Sequence, residues 1–327
     1  MVSIDKIIEN IKPCLERLEA DRLHYKKQRA KFWSIAAVIM SIGCIAGAIF
    51  VTSNFPLGII ITAIVVIVIL IIMWNVMISG SNRNYVADYK QRVIPEIVKQ
   101  FDMSLSYSAT QGVSIEDYKA SELLKRPDRF ATEDLITGSY GNTRVKFGEV
   151  HAKEKRTSTD SEGRTSTRYV TIFKGVYFMA DFHKHFHGRT FVLPDLAEST
   201  FGRFGRKLQK LGGKRGTKLI QMDDPEFEQE FAIYSTDEVE CRYILSNSMM
   251  RNILEMKERL GRKDIKIAFK GSIMYLSIPY DGNDYLEPHL SRNATNTDQL
   301  RMFINQIGTC LQIVDDLNLN TRIWSKK

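Results

Sequence analysis

Charge is missing from two long stretches of this 327-residue chain. From Phe32 to Val51, and again from Leu57 to Ser79, there is no Asp, Glu, Lys or Arg. The averages hide this: 44% hydrophobic and 26% charged residues are ordinary for a water-soluble domain. The apolar residues are therefore segregated rather than spread. A hydrocarbon core about 30 Å thick is crossed by about 20 helical residues rising ~1.5 Å each, and both stretches reach that length. The expectation is two membrane spans, 32–51 and 57–79, joined by a short external turn, 52–56. A cleaved signal peptide is not expected, because its apolar stretch is shorter than either run and lies closer to the start than the one after Lys31.

Cysteine is scarce as well. Cys14, Cys44, Cys241 and Cys310 are scattered and form no C-x-x-C pair, which excludes a disulfide framework and a zinc signature and suits a reducing compartment. Enzyme motifs are absent too: there is no G-x-S-x-G, H-E-x-x-H or G-x-G-x-x-G. The run 211–218 imitates a phosphate loop but has no Gly-Lys-Ser/Thr behind the required upstream glycine. No cofactor is expected, and a catalytic constellation is not legible. No solenoid period is present.

The basic residues set an orientation. Arg22, Lys26, Lys27, Arg29 and Lys31 precede the first span, Arg83, Lys90 and Arg92 follow the second, and the turn Thr52–Pro56 carries no charge. Cations resist translocation, so both termini are expected in the cytoplasm. Trp33 and Trp74 suit the same interface, ring in lipid and N–H in water. Within the first span, Gly43 and Gly47 are spaced for close helix approach.

Outside the spans, residues 1–31 and 80–110 read as cytosolic stalk helices. Ile4, Ile8, Ile11, Leu15 and Leu18 form one seam and Tyr85, Val86, Tyr89, Val93, Ile97 and Phe101 another, the spacing of packed helices. Pro13 and Pro95 lie at similar heights above the membrane and predict a matched kink or fresh start. Residues 111–327 are expected to be a cytosolic α+β domain: short helices and connectors over 112–137, including entries at Ser114 and Ala131, then mostly antiparallel strands. These are placed at 143–152, 169–186, 189–193, 218–222, 227–234, 265–269 and 273–279. Residues 153–168 form an exposed loop, Lys270-Gly271 a tight turn and Asp223-Asp224-Pro225 a turn. Helices fall at 237–245, 247–260 and 297–316, the last closing the domain. The order of elements suggests a barrel-like, pleckstrin-homology-like sheet.

Two features carry candidate chemistry. On a regular strand Asp181, His183, His185 and His187 share one face and Phe182 and Phe186 the other. His-x-His can ligate zinc, but no third ligand is identifiable, so no metal is expected and these imidazoles are solvated. Phe201, Phe204, Leu208 and Leu211 make a helical apolar stripe, flanked by Arg203, Arg206, Lys207, Lys210, Lys214, Arg215 and Lys218 with no acid among them. A basic amphipathic helix of this kind suits anionic lipid headgroups, at about 1 kcal/mol per basic residue near the surface. The other readings are a helix docked on the sheet with solvated charges, or an acidic protein partner. Nucleic acid is not expected, since no aromatic-rich recognition module accompanies the patch.

Phe173–Phe182 (FKGVYFMADF) followed by Gly188–Asp195 (GRTFVLPD), with echoes at Phe201–Gly205, Asp224–Phe231 and Glu240–Leu245, resembles an uncharacterised prokaryotic two-pass membrane-protein family, domain of unknown function 3137, over roughly residues 85–323. Cys241 stands where the family suggests Ala, and His183 and His187 where it suggests Asn or Lys, so the histidine cluster departs from it. The resemblance implies a bacterial or archaeal cell membrane and supplies no activity. It also brings in a membrane protein of the LemA type as a partner. The function expected is a membrane-anchored, non-enzymatic scaffold or binding protein, with self-association open. The alternative is a membrane-tethered, metal-dependent hydrolase using the Asp181/His183/His185/His187 face.

Overall fold

A computed structural model describes all residues except 1–2, 53–55, 160–162, 196–215, 263, 281, 283–284 and 320–327. The chain divides into two compact units, one built from Val2–Ile97 with Leu286–Met302, the other from Val98–Tyr285 with Phe303–Lys327.

The first unit is helical. Helix α1 runs unbroken over Ile4–Thr52, 49 residues with Pro13 inside it. Helix α2 (Pro56–Met73) passes through a π-helical turn, Trp74–Ser79, into α3 (Gly80–Arg92), and α4 (Ile94–Phe101) follows. Each apolar stretch is long and uncharged enough to cross a membrane. Helix α2 is rich in Ile and Val, β-branched residues that favour helix weakly in water. In lipid every backbone polar group must be bonded within the segment, and the helix does this. Its Ile60, Ile64, Val68 and Ile72 are exposed, the condition of a surface solvated by lipid tails. A Cβ on Gly43 would lie 2.9 Å from Val66 Cγ2, so this glycine lets α1 and α2 approach, whereas one on Gly47 would meet nothing within 4 Å. Phe32, Ala36 and Ile78 close the hairpin where the spans end.

Below the spans the apolar stripe turns inward. Ile7, Ile11, Leu15 and Leu18 of α1 are buried, as are Tyr85, Tyr89, Val93, Ile94, Ile97 and Val98. Ile7 takes the central place expected of Ile8, which is half-buried with Ile4. The helices run antiparallel: Tyr25 Oη donates to Asp88 (2.7 Å), Arg92 pairs with Asp21 (2.7 Å), and Cys14 Sγ lies 3.5 Å from the Arg92 carbonyl. Pro95 marks a fresh helix start, while the helix continues through Pro13. The segment 286–302 docks here, a feature the sequence did not suggest. Arg22 Nη1 donates to the Leu290 carbonyl (2.9 Å), Glu19 accepts the Ala294 N–H (2.8 Å), and Lys90 pairs with Glu287.

The second unit is a seven-stranded antiparallel sheet with helices. Its strands are β1 (Ser106–Ser108), β2 (Arg129–Tyr140), β3 (Thr143–Thr159), β4 (Thr165–Pro194), β5 (Lys218–Ile220), β6 (Phe231–Ser235) and β7 (Lys266–Pro279). Its helices are α5 (Ile115–Ala120), α6 (Pro225–Glu230), α7 (Glu238–Ile244), α8 (Asn247–Leu260) and α9 (Thr297–Asp316), the last entering from the first unit. Strand β4, 30 residues long, is the axis. One edge pairs with β3 over Thr165–Ala180 and with β6 over Thr190–Pro194, and the other pairs with β7 between Gly175 and Val192, with breaks around Phe186. The described ladders leave the sheet open; no pairing among them closes it into a barrel.

Several local expectations are corrected. The stalk helix ends at Phe101 rather than near 110, and Ser106–Ser108 joins the sheet. Residues 129–140 form a bulged strand, not a helix entry at Ala131. Lys153–Arg168 is not a loop, for β3 and β4 stay paired out to Thr159 and Thr165. Lys270-Gly271 is no hairpin turn: β7 runs through it as a bulge, with Gly271 at φ 64°, a left-handed conformation that glycine adopts without penalty. Asp224 caps α6, accepting the Glu226 and Phe227 N–H groups, so the expected strand 227–234 begins only at Phe231.

One face of the sheet buries Tyr118, Leu123, Phe173, Tyr177, Phe191 and Tyr275 under the segment that carries α5. The other buries Phe147, Phe178, Phe182 and Phe269. Helix α9 is tied to β2 through Tyr140–Asp315 (3.2 Å) and to α8 through Arg259–Asp316.

Candidate functional site

The centre of β4 is where sequence and structure diverge most. Pairing with β7 skips from Asp181 to Phe186 and again to Arg189, and His183 has a left-handed φ of 55°. The alternation expected of residues 181–187 therefore breaks. Phe182 and Phe186 still point inward, their rings 5.2 Å apart over Phe269. Asp181 is buried, accepts the His183 N–H (2.9 Å) and pairs with Arg144 (3.1 Å). The His183 ring faces Thr143, while His185 and His187 form their own edge-to-face pair with centroids 5.5 Å apart. His185 Nδ1 is 3.4 Å from Ser272 Oγ. The four residues expected on one face are thus divided, and among the described residues no third metal-binding side chain joins His185 and His187.

The bulge is fastened by helix α7. Asp237 caps that helix by accepting the Glu240 N–H (2.9 Å). Glu240 in turn accepts the N–H groups of His187 (3.0 Å) and Gly188 (2.7 Å), donors that the irregular ladder leaves without a strand partner. Lys184 Nζ sits 3.3 Å over the ring of Tyr243. Burial lowers this ammonium from its usual pKa, with Glu240 pulling the other way.

Beyond the bulge lies a polar cluster that the sequence reading missed. Glu122 follows α5 with a left-handed φ of 56°, a position at a helix end where glycine is preferred. Its carboxylate accepts from Arg189 Nη1 at 3.0 and 3.3 Å and from Lys270 Nζ at 2.6 Å. Lys270 Nζ also donates to the Ala120 carbonyl (2.8 Å). Glu122 is 67 positions from Arg189 and 148 from Lys270, so no local pattern announces the meeting.

Of the basic set, Arg203, Arg206, Lys207, Lys210, Lys214 and Arg215 lie outside the described residues, and Lys218 begins β5. Arg22, one of the cations flanking the first span, is buried against Glu19 and the docked segment.

These features define a membrane-associated protein with two candidate spans and a distinct folded α+β domain. Residues 171–319 match the profile of a family described as "Protein of unknown function (DUF3137)". The match begins inside β4 and ends just past α9, so it takes in the bulge, α7 and Lys270. No curated protein matches the chain. The crystal structure of the mycobacterial trehalose monomycolate transport factor A, TtfA, is similar over 69% of this chain and 96% of that one, with 8% identity and a TM-score of 0.33. A likeness that slight carries no argument about fold or function.

Proposed function

We propose that the chain is a two-pass anchor holding a cytosolic binding domain at the surface of a prokaryotic cell membrane. Its role is that of a non-enzymatic scaffold. The observation that carries this reading is the outward apolar circumference of α2, which no part of the described chain covers, beside a domain that buries its own aromatic core. Lipid is the solvent that such a helix requires. Lys26, Lys27, Arg29, Lys31 and Arg83 keep both flanks of the hairpin inside. The stalk over residues 1–31 and 80–110, and the domain over 111–327, belong to the same proposal. A strand-rich order ended by a helix, pleckstrin-homology-like in sequence of elements, suits a binding module.

The basic run Arg203, Arg206, Lys207 and Lys210 is the contact proposed for an anionic lipid surface. The test places the whole chain in phosphatidylcholine nanodiscs and floats it with vesicles containing phosphatidylglycerol. Neutralising those four cations, at about 1 kcal/mol each, should abolish a salt-sensitive co-flotation. Unchanged flotation leaves a protein partner, and co-purification from native membranes, with a LemA-type protein as first candidate, then identifies it. The hydrolase alternative has less support, because Asp181, His183, His185 and His187 face different neighbours.

A further inference from the structure

Two adjoining cavities, about 380 and about 530 Å³, share Ala120 and Lys270 in their walls. Together they are of the size that takes a small ligand or headgroup. Lys119, Arg126, Arg189 and Lys270 line them together with His185; Glu122 is the one carboxylate in the lining, and Glu240 stands behind His187 and Gly188 with both oxygens taken by their N–H groups. Arg189 and Lys270 are both engaged by Glu122. The Lys119 and Arg126 side chains have no ionic partner among the described residues. Cations gathered in a concavity with this little counter-charge attract anions from solution.

Glu122 itself is informative. A left-handed backbone is unfavourable at a residue other than glycine, and here it delivers a carboxylate onto an Arg–Lys pair. Two charge-assisted donors aimed at one point are the arrangement that recognises a phosphate or carboxylate oxygen. From the cradle, its built-in anion and the uncompensated cations alongside, we infer that this groove binds a phosphate group carrying at least two negative charges, and that Glu122 is its internal competitor. The incoming phosphate takes Arg189 and Lys270 from Glu122 and draws on Lys119 and Arg126 for its remaining charge. A monoanionic carboxylate offers too little charge for all four. The site is separate from the 203–218 run and does not rest on the proposal made for it.

The experiment titrates inorganic pyrophosphate into the full chain in phosphatidylcholine nanodiscs, by calorimetry. Glu122→Gln should tighten binding on the order of tenfold, because it removes a repelling charge from the cradle. Arg189→Gln and Lys270→Gln should weaken it at least as much. These residues also support the fold, so Lys119→Gln and Arg126→Gln, which break no ion pair, provide the independent check and should weaken binding with unchanged melting. In a second arm, vesicles containing phosphatidic acid replace pyrophosphate. A response to the same substitutions there, without one to pyrophosphate, assigns the phosphate to a lipid headgroup. Substitution of Arg203, Arg206, Lys207 and Lys210 should leave pyrophosphate binding as it was. The inference is overturned if neither probe responds to the groove substitutions, or if Glu122→Gln fails to strengthen binding.

Discussion

Helices α2 and α9 are both built on aliphatic residues, yet they meet opposite surroundings. In α9 the apolar side chains Leu300, Phe303, Ile304, Ile307, Leu311 and Val314 are all buried, while Asp298, Arg301, Asn305 and Asp315 are exposed. In α2 the aliphatic residues go all the way round and most are exposed. The difference lies in periodicity rather than in hydrophobic content. A stripe recurring at steps of three and four fixes one inward face, whereas an uninterrupted run has no inward face and needs an apolar solvent. Helix α1 contains both cases: striped from Ile7 to Leu18, where it packs as a stalk, and uninterrupted across its span.

The contrast can be broken most forcefully in the sheet unit. Phe178 is fully buried and stacks near Phe147 with centroids 5.6 Å apart, so Phe178→Ala should cost about 3–5 kcal/mol. Denaturant unfolding of the full chain in detergent, followed by near-ultraviolet circular dichroism, measures this. A cost under ~1 kcal/mol would mean that the face is not a packed core. The second blow falls on the helical unit. Val68→Arg puts a cation at the middle of the uncharged run 57–79, at about 2.5–3.5 kcal/mol on the insertion scale. The fraction of chain resisting carbonate extraction should fall, while Phe178→Ala leaves that fraction unchanged. Full retention of the arginine variant would show that α2 is covered by protein instead of lipid.

The smallest effect sharpens the comparison at the docked segment 286–302. Hydrogen bonding from Arg22 holds the Glu19 carboxyl below its ordinary value of 4.5, with the Ala294 N–H acting in the same direction and burial opposing. A depressed carboxylate stabilises the fold fully above the unfolded value, and the contribution fades as pH falls through the folded one. Glu19→Gln should therefore lower the melting temperature at pH 7, and the gap from the parent should narrow as pH drops below 4.5. A gap that stays constant with pH would remove Glu19 from the account.

Much of the helical part was legible because its signals are local. The uncharged runs, the stalk seams, Ser114 as a cap and the helices at 238–244, 247–260 and 297–316 need only neighbours within a turn or two. Strand boundaries fared worse. The helix entry read at Ala131 fails because tertiary pairing with β3 overrides weak local preference, and Lys270-Gly271 was read as a turn because a glycine at positive φ serves a bulge as well as a hairpin. The histidine face fails for a related reason. Parity along a strand holds only while the ladder is regular, and the β4–β7 ladder slips between Asp181 and Arg189. The basic run 203–215 had a clear pattern, but it lies outside the described residues.

By itself the sequence determined where the chain must leave water, that 238–244, 247–260 and 297–316 are helical and which faces of the stalk are apolar, since each follows from residues close together along the chain. Only the tertiary structure decided that β4 pairs with β3, β6 and β7 alike, that 286–302 returns to the stalk, and that Glu122, Arg189 and Lys270 converge. These are pairings across long separations, and their loop-closure cost is repaid only once the whole sheet is assembled.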